Sequence, residues 1–145
     1  MQTDYELVVG RATSEVFDVL AAVDRYHEWL PPSKMYVRTE LTGEMGQGCE
    51  YVDHHSGGGS MSGVVHIYEP PTRIGFRQER RIAFGRAVIR VEYTLKSDGA
   101  GTHILRHHAF DTSLHLRPGE WIFKKRLVAE NERVMHALAK LLEGS

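Results

Sequence analysis

The sequence predicts an α+β fold in which seven short strands form one antiparallel sheet and a long C-terminal helix covers its apolar front. Three observations carry that prediction. Residues 118–144, PGEWIFKKRLVAENERVMHALAKLLEG, are the only long stretch with helical periodicity. Six segments between residues 35 and 111 alternate apolar and polar side chains, and clusters of turn-forming residues separate them. Alternation leaves the sheet apolar on one face only, and that face must be buried against another layer.

Tyr5–Val9 reads as the first strand. A helix follows, with Thr13 or Ser14 as N-cap and Val16, Phe17, Val19 and Leu20 on its buried side. Asp24 opens a second short helical piece, DRYHEWL, which Pro31 and Pro32 end. The remaining strands are read at Met35–Leu41, Gly48–His55, Ser60–Tyr68, Arg73–Ile82, Arg86–Leu95 and Thr102–Asp111. Short turn sequences such as Gly57-Gly58-Gly59, Phe84-Gly85 and Ser97-Asp98-Gly99 suit hairpins. On the final helix, Leu127, Val134, Leu138, Leu141 and Leu142 share a face with Val128 and Met135, and Phe123 precedes them. Asn131, the only asparagine, sits at the centre of that face, with Lys124 and Glu120 on the same line. Gly144 stands where the helix would stop.

Composition bounds the classes of function. At 145 residues the chain is long enough for one domain, read as 1–145, with a core of its own. A net charge of −1, from 18 basic and 19 acidic residues, gives no global field for nucleic acid or an anionic membrane. No segment approaches the ~18 consecutive apolar residues of a membrane span, and the N-terminus lacks the features of a signal peptide. Cys49 is alone and has no partner for an internal disulfide. These features give the expectation of a cytoplasmic protein.

Strand alternation assigns faces. In Arg86–Leu95 the inward row is Ala87, Ile89, Val91, Tyr93 and Leu95. In Arg73–Ile82 it is Ile74, Phe76, Gln78, Arg80 and Ile82, with Phe84 beyond, while Arg73, Arg77, Glu79 and Arg81 face water. In the last strand Ile104, Arg106, His108 and Phe110 are read as inward.

The order strand, helix pair, six-strand meander and long helix resembles the START-like superfamily, also called SRPBCC. The residues that carry the likeness are 12–20 (ATSEVFDVL), 26–29 (YHEW), 65–74 (VHIYEPPTRI) and 99–104 (GAGTHI). Within the superfamily the chain is similar to the polyketide cyclase/dehydrase and lipid-transport branch. The resemblance implies a helix-grip fold, a curved seven-stranded sheet wrapped around the last helix. It also implies a cavity for lipids, polyketides, sterols or similar molecules, and it supplies no invariant catalytic motif.

The ligand-binding expectation therefore rests on the inward residues Asn131, Gln78, Arg80, Arg106 and His108. Trp29 and Tyr51 stand near them, and Phe76, Tyr93, Phe110 and Leu127 supply apolar wall. Arg80 and Arg106 have two readings, one facing a ligand anion or carboxylate and one reaching solvent from strand ends. His108, with Arg106 and Arg80, is the catalytic candidate if there is catalysis. The pairs His54-His55 and His107-His108 each straddle a strand, so each can offer one side chain to a site. No HExxH and no Cys at ligand spacing is present, and no metal is expected. Gly57-Gly58-Gly59 lacks the ending of a phosphate loop, and no GxSxG motif occurs.

Three functions follow. The first is binding of a small, mainly apolar ligand of lipid, polyketide or aromatic type. The alternative is a cyclase/dehydrase-type enzyme working in the same cavity without metal or organic cofactor. The third is a protein-interaction module like the cochaperones of the superfamily. The expected partner is a small apolar ligand, with no nucleic acid and no integral membrane segment; the sequence sets no oligomeric state.

Overall fold

Alternating segments pair edge to edge because each exposes a row of backbone donors and acceptors that only a neighbouring strand can satisfy. The computed structural model describes residues 1–33, 36–82, 85–112 and 120–144, without the side chains of Ile82, Glu120 and Phe123. The expectations for Met35, Ile82, Phe84, Pro118, Phe123 and the Glu120 side chain lie outside the described residues. Seven strands form one antiparallel sheet: β1 (Gln2–Val9), β2 (Arg38–Leu41), β3 (Glu50–His54), β4 (Ser60–Glu69), β5 (Arg73–Ile82), β6 (Gly85–Asp98) and β7 (Gly101–Thr112). Their spatial order is β1-β7-β6-β5-β4-β3-β2. Five of the strands thus pair as successive hairpins from β2 to β6, β7 follows β6, and β1 returns to close the β7 edge.

Between β1 and β2 lie α1 (Thr13–Ala21) and a 3-10 helix (Val23–Glu28). The N-cap of α1 is Ala12, with no side-chain hydrogen bond, in place of the expected Thr13 or Ser14. Burial of Val16, Phe17 and Leu20 holds this helix where a cap would otherwise help. β2 starts at Arg38 because the chain first makes an isolated bridge between Ser33 and Tyr36.

The long helix α2 (Glu120–Glu143) runs along β1. Its C-terminal half presents Met135, Leu138 and Leu142 to a core shared with Leu20 of α1 and with Ile74, Leu95 and Ile104 of the sheet. The Arg11 guanidinium donates to the Leu142 carbonyl at 2.9 Å, so a cation satisfies one of the carbonyls that a helix end leaves free. Val128 departs from the expected buried face and is 37% exposed, with Trp121 and Ile122 also exposed. The first turns of α2 extend past the packed core, and periodicity cannot report where a helix outruns its cover. No helix among the described residues is long and apolar enough to cross a membrane.

Leu138 is fully enclosed where α1, α2 and the sheet meet. Leu138→Ala should destabilise the protein by ~2–5 kcal/mol, read as a lower midpoint in urea melts. An unchanged midpoint would mean that α2 does not hold the sheet.

Candidate functional site

The dry core fills one end of the space under α2. Beyond it the sheet, the 3-10 helix and the N-terminal half of α2 enclose a cavity of about 450 Å³, within the ~300–1,000 Å³ of small-molecule sites. Period-two geometry decides what each strand sends there. β5 contributes Phe76, Gln78 and Arg80; β6 contributes Ala87, Ile89, Val91 and Tyr93; β7 contributes Arg106, His108 and Phe110. These strands pair in register, Tyr93 opposite Arg106, Val91 opposite His108 and Ile89 opposite Phe110 and Gln78. The inward residues therefore form aligned rows across the sheet. Leu127 and Val134 of α2 close the opposite side.

Arg106 is 6% exposed yet carries a full charge in this wall. Its Nε donates to the Tyr93 hydroxyl at 3.0 Å, and an Nη donates to the Asn131 side-chain carbonyl. Asn131 in turn donates through Nδ2 to the Thr3 carbonyl on β1 at 3.2 Å. Among the described residues no carboxylate forms an ion pair with Arg106. Neutral dipoles and the Tyr93 ring, its centroid 5.6 Å from the guanidinium carbon, hold the cation in place.

His108 lies beside it, buried, and its Nδ1 has no hydrogen-bond partner among the described residues. Burial, then the like charge of Arg106, lowers the imidazole to about 3 against a hydrogen bond with Asn131 that raises it. The ring is neutral at physiological pH. Its neighbour His107 faces outward and bonds Asp4 on β1, so the adjacent pair does straddle the strand.

At the β2–β3 end the wall carries a carboxylate, Asp53. Thr39 donates to one of its oxygens at 2.5 Å and Gln78 to the other at 2.6 Å. Burial raises Asp53 above the usual carboxylate value, against those two hydrogen bonds and the nearby His55 and His54. Gln78 reaches it from β5 across Gly63 of β4, and Tyr51 lies over the same glycine. A Cβ there would stand 2.4 Å from the Tyr51 ring and 2.8 Å from the Gln78 side chain. The phenols of Tyr26, Tyr36 and Tyr51 are also pushed upward by burial, so they line the cavity as neutral hydroxyls.

Of the expected wall residues, Gln78, Arg80, Arg106, His108, Tyr51, Phe76, Tyr93, Phe110 and Leu127 border the cavity. Arg80 does so from an exposed position at the rim. Two do not. Asn131 is 1% exposed and stands behind Arg106, whose guanidinium it holds by a hydrogen bond. Trp29 packs on the Tyr26 ring, 5.0 Å between centroids, and supports the 3-10 helix from outside the cavity. Asp53 and Thr39 were missed. The signal was present, because an inward Tyr51 places Asp53 and His55 on the same face of the strand.

The family model for polyketide cyclase / dehydrase and lipid transport matches residues 3–143, and the chain belongs to that family. Among solved structures, it is similar to protein MLL2253 from Mesorhizobium loti, with TM-score 0.76 and 16% identity over 98% of this chain and 96% of that one. The Zhui aromatase/cyclase from Streptomyces sp. R1128 gives TM-score 0.67 and 19% identity over 97% and 94%. The di-domain ARO/CYC BexL from the BE-7585A biosynthetic pathway gives 0.72 and 18%, with 96% of this chain matched to 45% of BexL. At these identities the likeness is one of fold. No curated protein matches the chain.

Two predictions test this geometry. Unfolded His108 takes a proton near ~6.5, and folded His108 near about 3. Between those values the unfolded state binds more protons, so stability is full above the unfolded pKa and is lost as pH falls toward the folded one. The loss is up to ~1.4 kcal/mol per pH unit in that window. His108→Gln should therefore lose less stability than the native protein between pH 7 and pH ~4.5 in urea melts; equal losses would mean a solvated imidazole. Separately, Gly63→Ala should cost ~1–3 kcal/mol by displacing the Tyr51 ring, read as a lower midpoint in urea melts. A neutral Gly63→Ala would show that Tyr51 does not rest on β4.

Proposed function

We propose that the chain binds a small, mainly apolar molecule bearing one anionic or strongly polarised oxygen, in the cavity between the sheet and α2. The observation that carries this reading is Arg106. A buried charge without a counter-ion costs several kcal/mol, and the described residues around this one supply dipoles and the face of the Tyr93 ring but no carboxylate. A ligand oxygen at the guanidinium would provide the missing counter-charge. The rest of the wall, with Phe76, Val91, Phe110 and Leu127, suits an aromatic or polyketide-like body. Membership in a family that spans cyclases and lipid transport supports a ligand of this kind.

A second reading has the same cavity act as a cyclase/dehydrase, and the aromatase/cyclase neighbours favour it. Arg106 would then polarise a ketone oxygen while His108 removes a proton from the adjacent carbon. A base with a pKa of about 3 is poorly matched to that task near neutral pH. Binding is therefore the first reading and catalysis the second.

The test uses anilinonaphthalene sulfonate, an anionic dye that fluoresces in apolar surroundings. The folded protein, with native near-UV circular dichroism, should bind it saturably near one to one. Arg106→Met should weaken that binding by about tenfold or more, the scale of a lost charged hydrogen bond. Lys125→Ala, on the outer face of α2, should leave it unchanged. No saturable binding, or equal effects from the two variants, would overturn the reading. With a poly-ketone substrate, turnover that His108→Gln abolishes while binding persists would establish the second reading instead.

A further inference from the structure

Anion recognition at Arg106 leaves the opposite end of the cavity unexplained. Asp53 is a partly buried carboxylate in the cavity wall, and its nearest partners are a hydroxyl and an amide rather than a cation. We propose that Asp53, held between Thr39 and Gln78, is a second recognition point that accepts a hydrogen bond from a neutral hydroxyl or phenol at the far end of the ligand. The proposal rests on the anion-binding reading of Arg106 and adds to it, because the preferred ligand then becomes a hydroxylated aromatic anion.

Three observations lead there. A carboxylate offers about four acceptor positions, and the two hydrogen bonds from Thr39 and Gln78 use one on each oxygen. Those bonds fix the carboxyl group's orientation, and Gly63 clears the path by which Gln78 reaches it. The surroundings also choose the charge of the donor. Arg80 and His55 border the same end of the cavity, and Arg80 places a guanidinium there. That guanidinium offsets part of the pull a carboxylate exerts on an ammonium group, whereas a neutral hydroxyl donates to Asp53 without needing that pull.

The strand order sets the ligand's length. Asp53 is on β3 and Arg106 on β7, four strand spacings apart. At ~4.8 Å each this is about 19 Å along the sheet, and less across its concave front. Two or three linked rings span such a gap.

The experiment titrates the native protein with para-biphenyl carboxylate, its distal hydroxyl and distal methoxy derivatives, and the terphenyl homologues of all three. At one of the two lengths the hydroxyl compound should bind about tenfold tighter than the methoxy compound. Asp53→Ala should erase that advantage while retaining Arg106-dependent binding of the parent carboxylate. If Asp53→Ala does not fold, Asp53→Asn should reduce the advantage at least about threefold, since a neutral acceptor is weaker. Arg106-dependent binding with no hydroxyl advantage at either length, or an advantage that survives in the Asp53 variants, overturns this proposal alone. Binding of no carboxylate, or binding indifferent to Arg106→Met, overturns the anion reading and this proposal with it.

Discussion

Seven strands present more front than one helix can cover. Six strand spacings of ~4.8 Å make a flat face about 29 Å wide, while a helix with its side chains is about 10–12 Å across. The chain meets this constraint in two ways. α1 and the 3-10 helix add cover beside α2, and where the three elements meet the sheet the packing is complete around Leu20, Leu138 and Ile104. Elsewhere the sheet curves toward α2, and the remaining gap is a cavity bordered by Tyr26 and Leu30 on one side and Leu127 on another. The cavity thus follows from the count of strands and helices. At 24 residues α2 is about 36 Å long, so its first turns run beyond the packed region and expose Trp121 and Ile122.

A gap of this kind could have been left apolar, and Arg106 shows that it was not. The guanidinium is tied to β6 through Tyr93 and to α2 through Asn131, which is itself tied to β1 through Thr3. The polar end of the cavity is therefore anchored on two strands and the helix that grips them. Such anchoring restricts the rotamers of a long side chain and lowers the ordering cost at binding. It also explains the single asparagine among the apolar residues of the helix face that packs inward. A leucine there would leave one guanidinium donor without a partner, at the cost of a buried unsatisfied group.

Much of this arrangement was legible because β-strand direction has a period of two. Once Ile104 and Phe110 are inward, Arg106 and His108 must be inward as well, and both lie in the cavity wall. The same rule, applied from Tyr51, reaches Asp53, but a sheet edge with short strands gave fewer apolar residues to fix its phase. Helix periodicity told that Asn131 points inward and could not tell what it meets. Direction is a local property, whereas the presence of Arg106 between Asn131 and the cavity depends on two distant segments. Trp29 shows the same limit. Its neighbourhood was readable from the short helical piece, but whether its ring faced the cavity or the back of Tyr26 was decided by tertiary packing.

The difference between a carrier and a catalyst here reduces to the solvation of one ring. The two largest causes that hold His108 neutral are burial and the charge of Arg106, and burial is the larger. A ligand anion at Arg106 would cancel much of the smaller cause and leave the larger in place, since a bound ligand keeps the site dry. The imidazole would then remain a weak base through the bound state. For proton transfer, the substrate or the closed site would have to supply a hydrogen-bonding group to Nδ1, which has none among the described residues. A hydroxyl placed there by a folded poly-ketone could do so; a flat aromatic anion seated on Arg106 could not. Under the proposed function, the same wall would hold one class of ligand inert and, with another, bring a proton acceptor into play, and the oxygen pattern of the ligand would decide which.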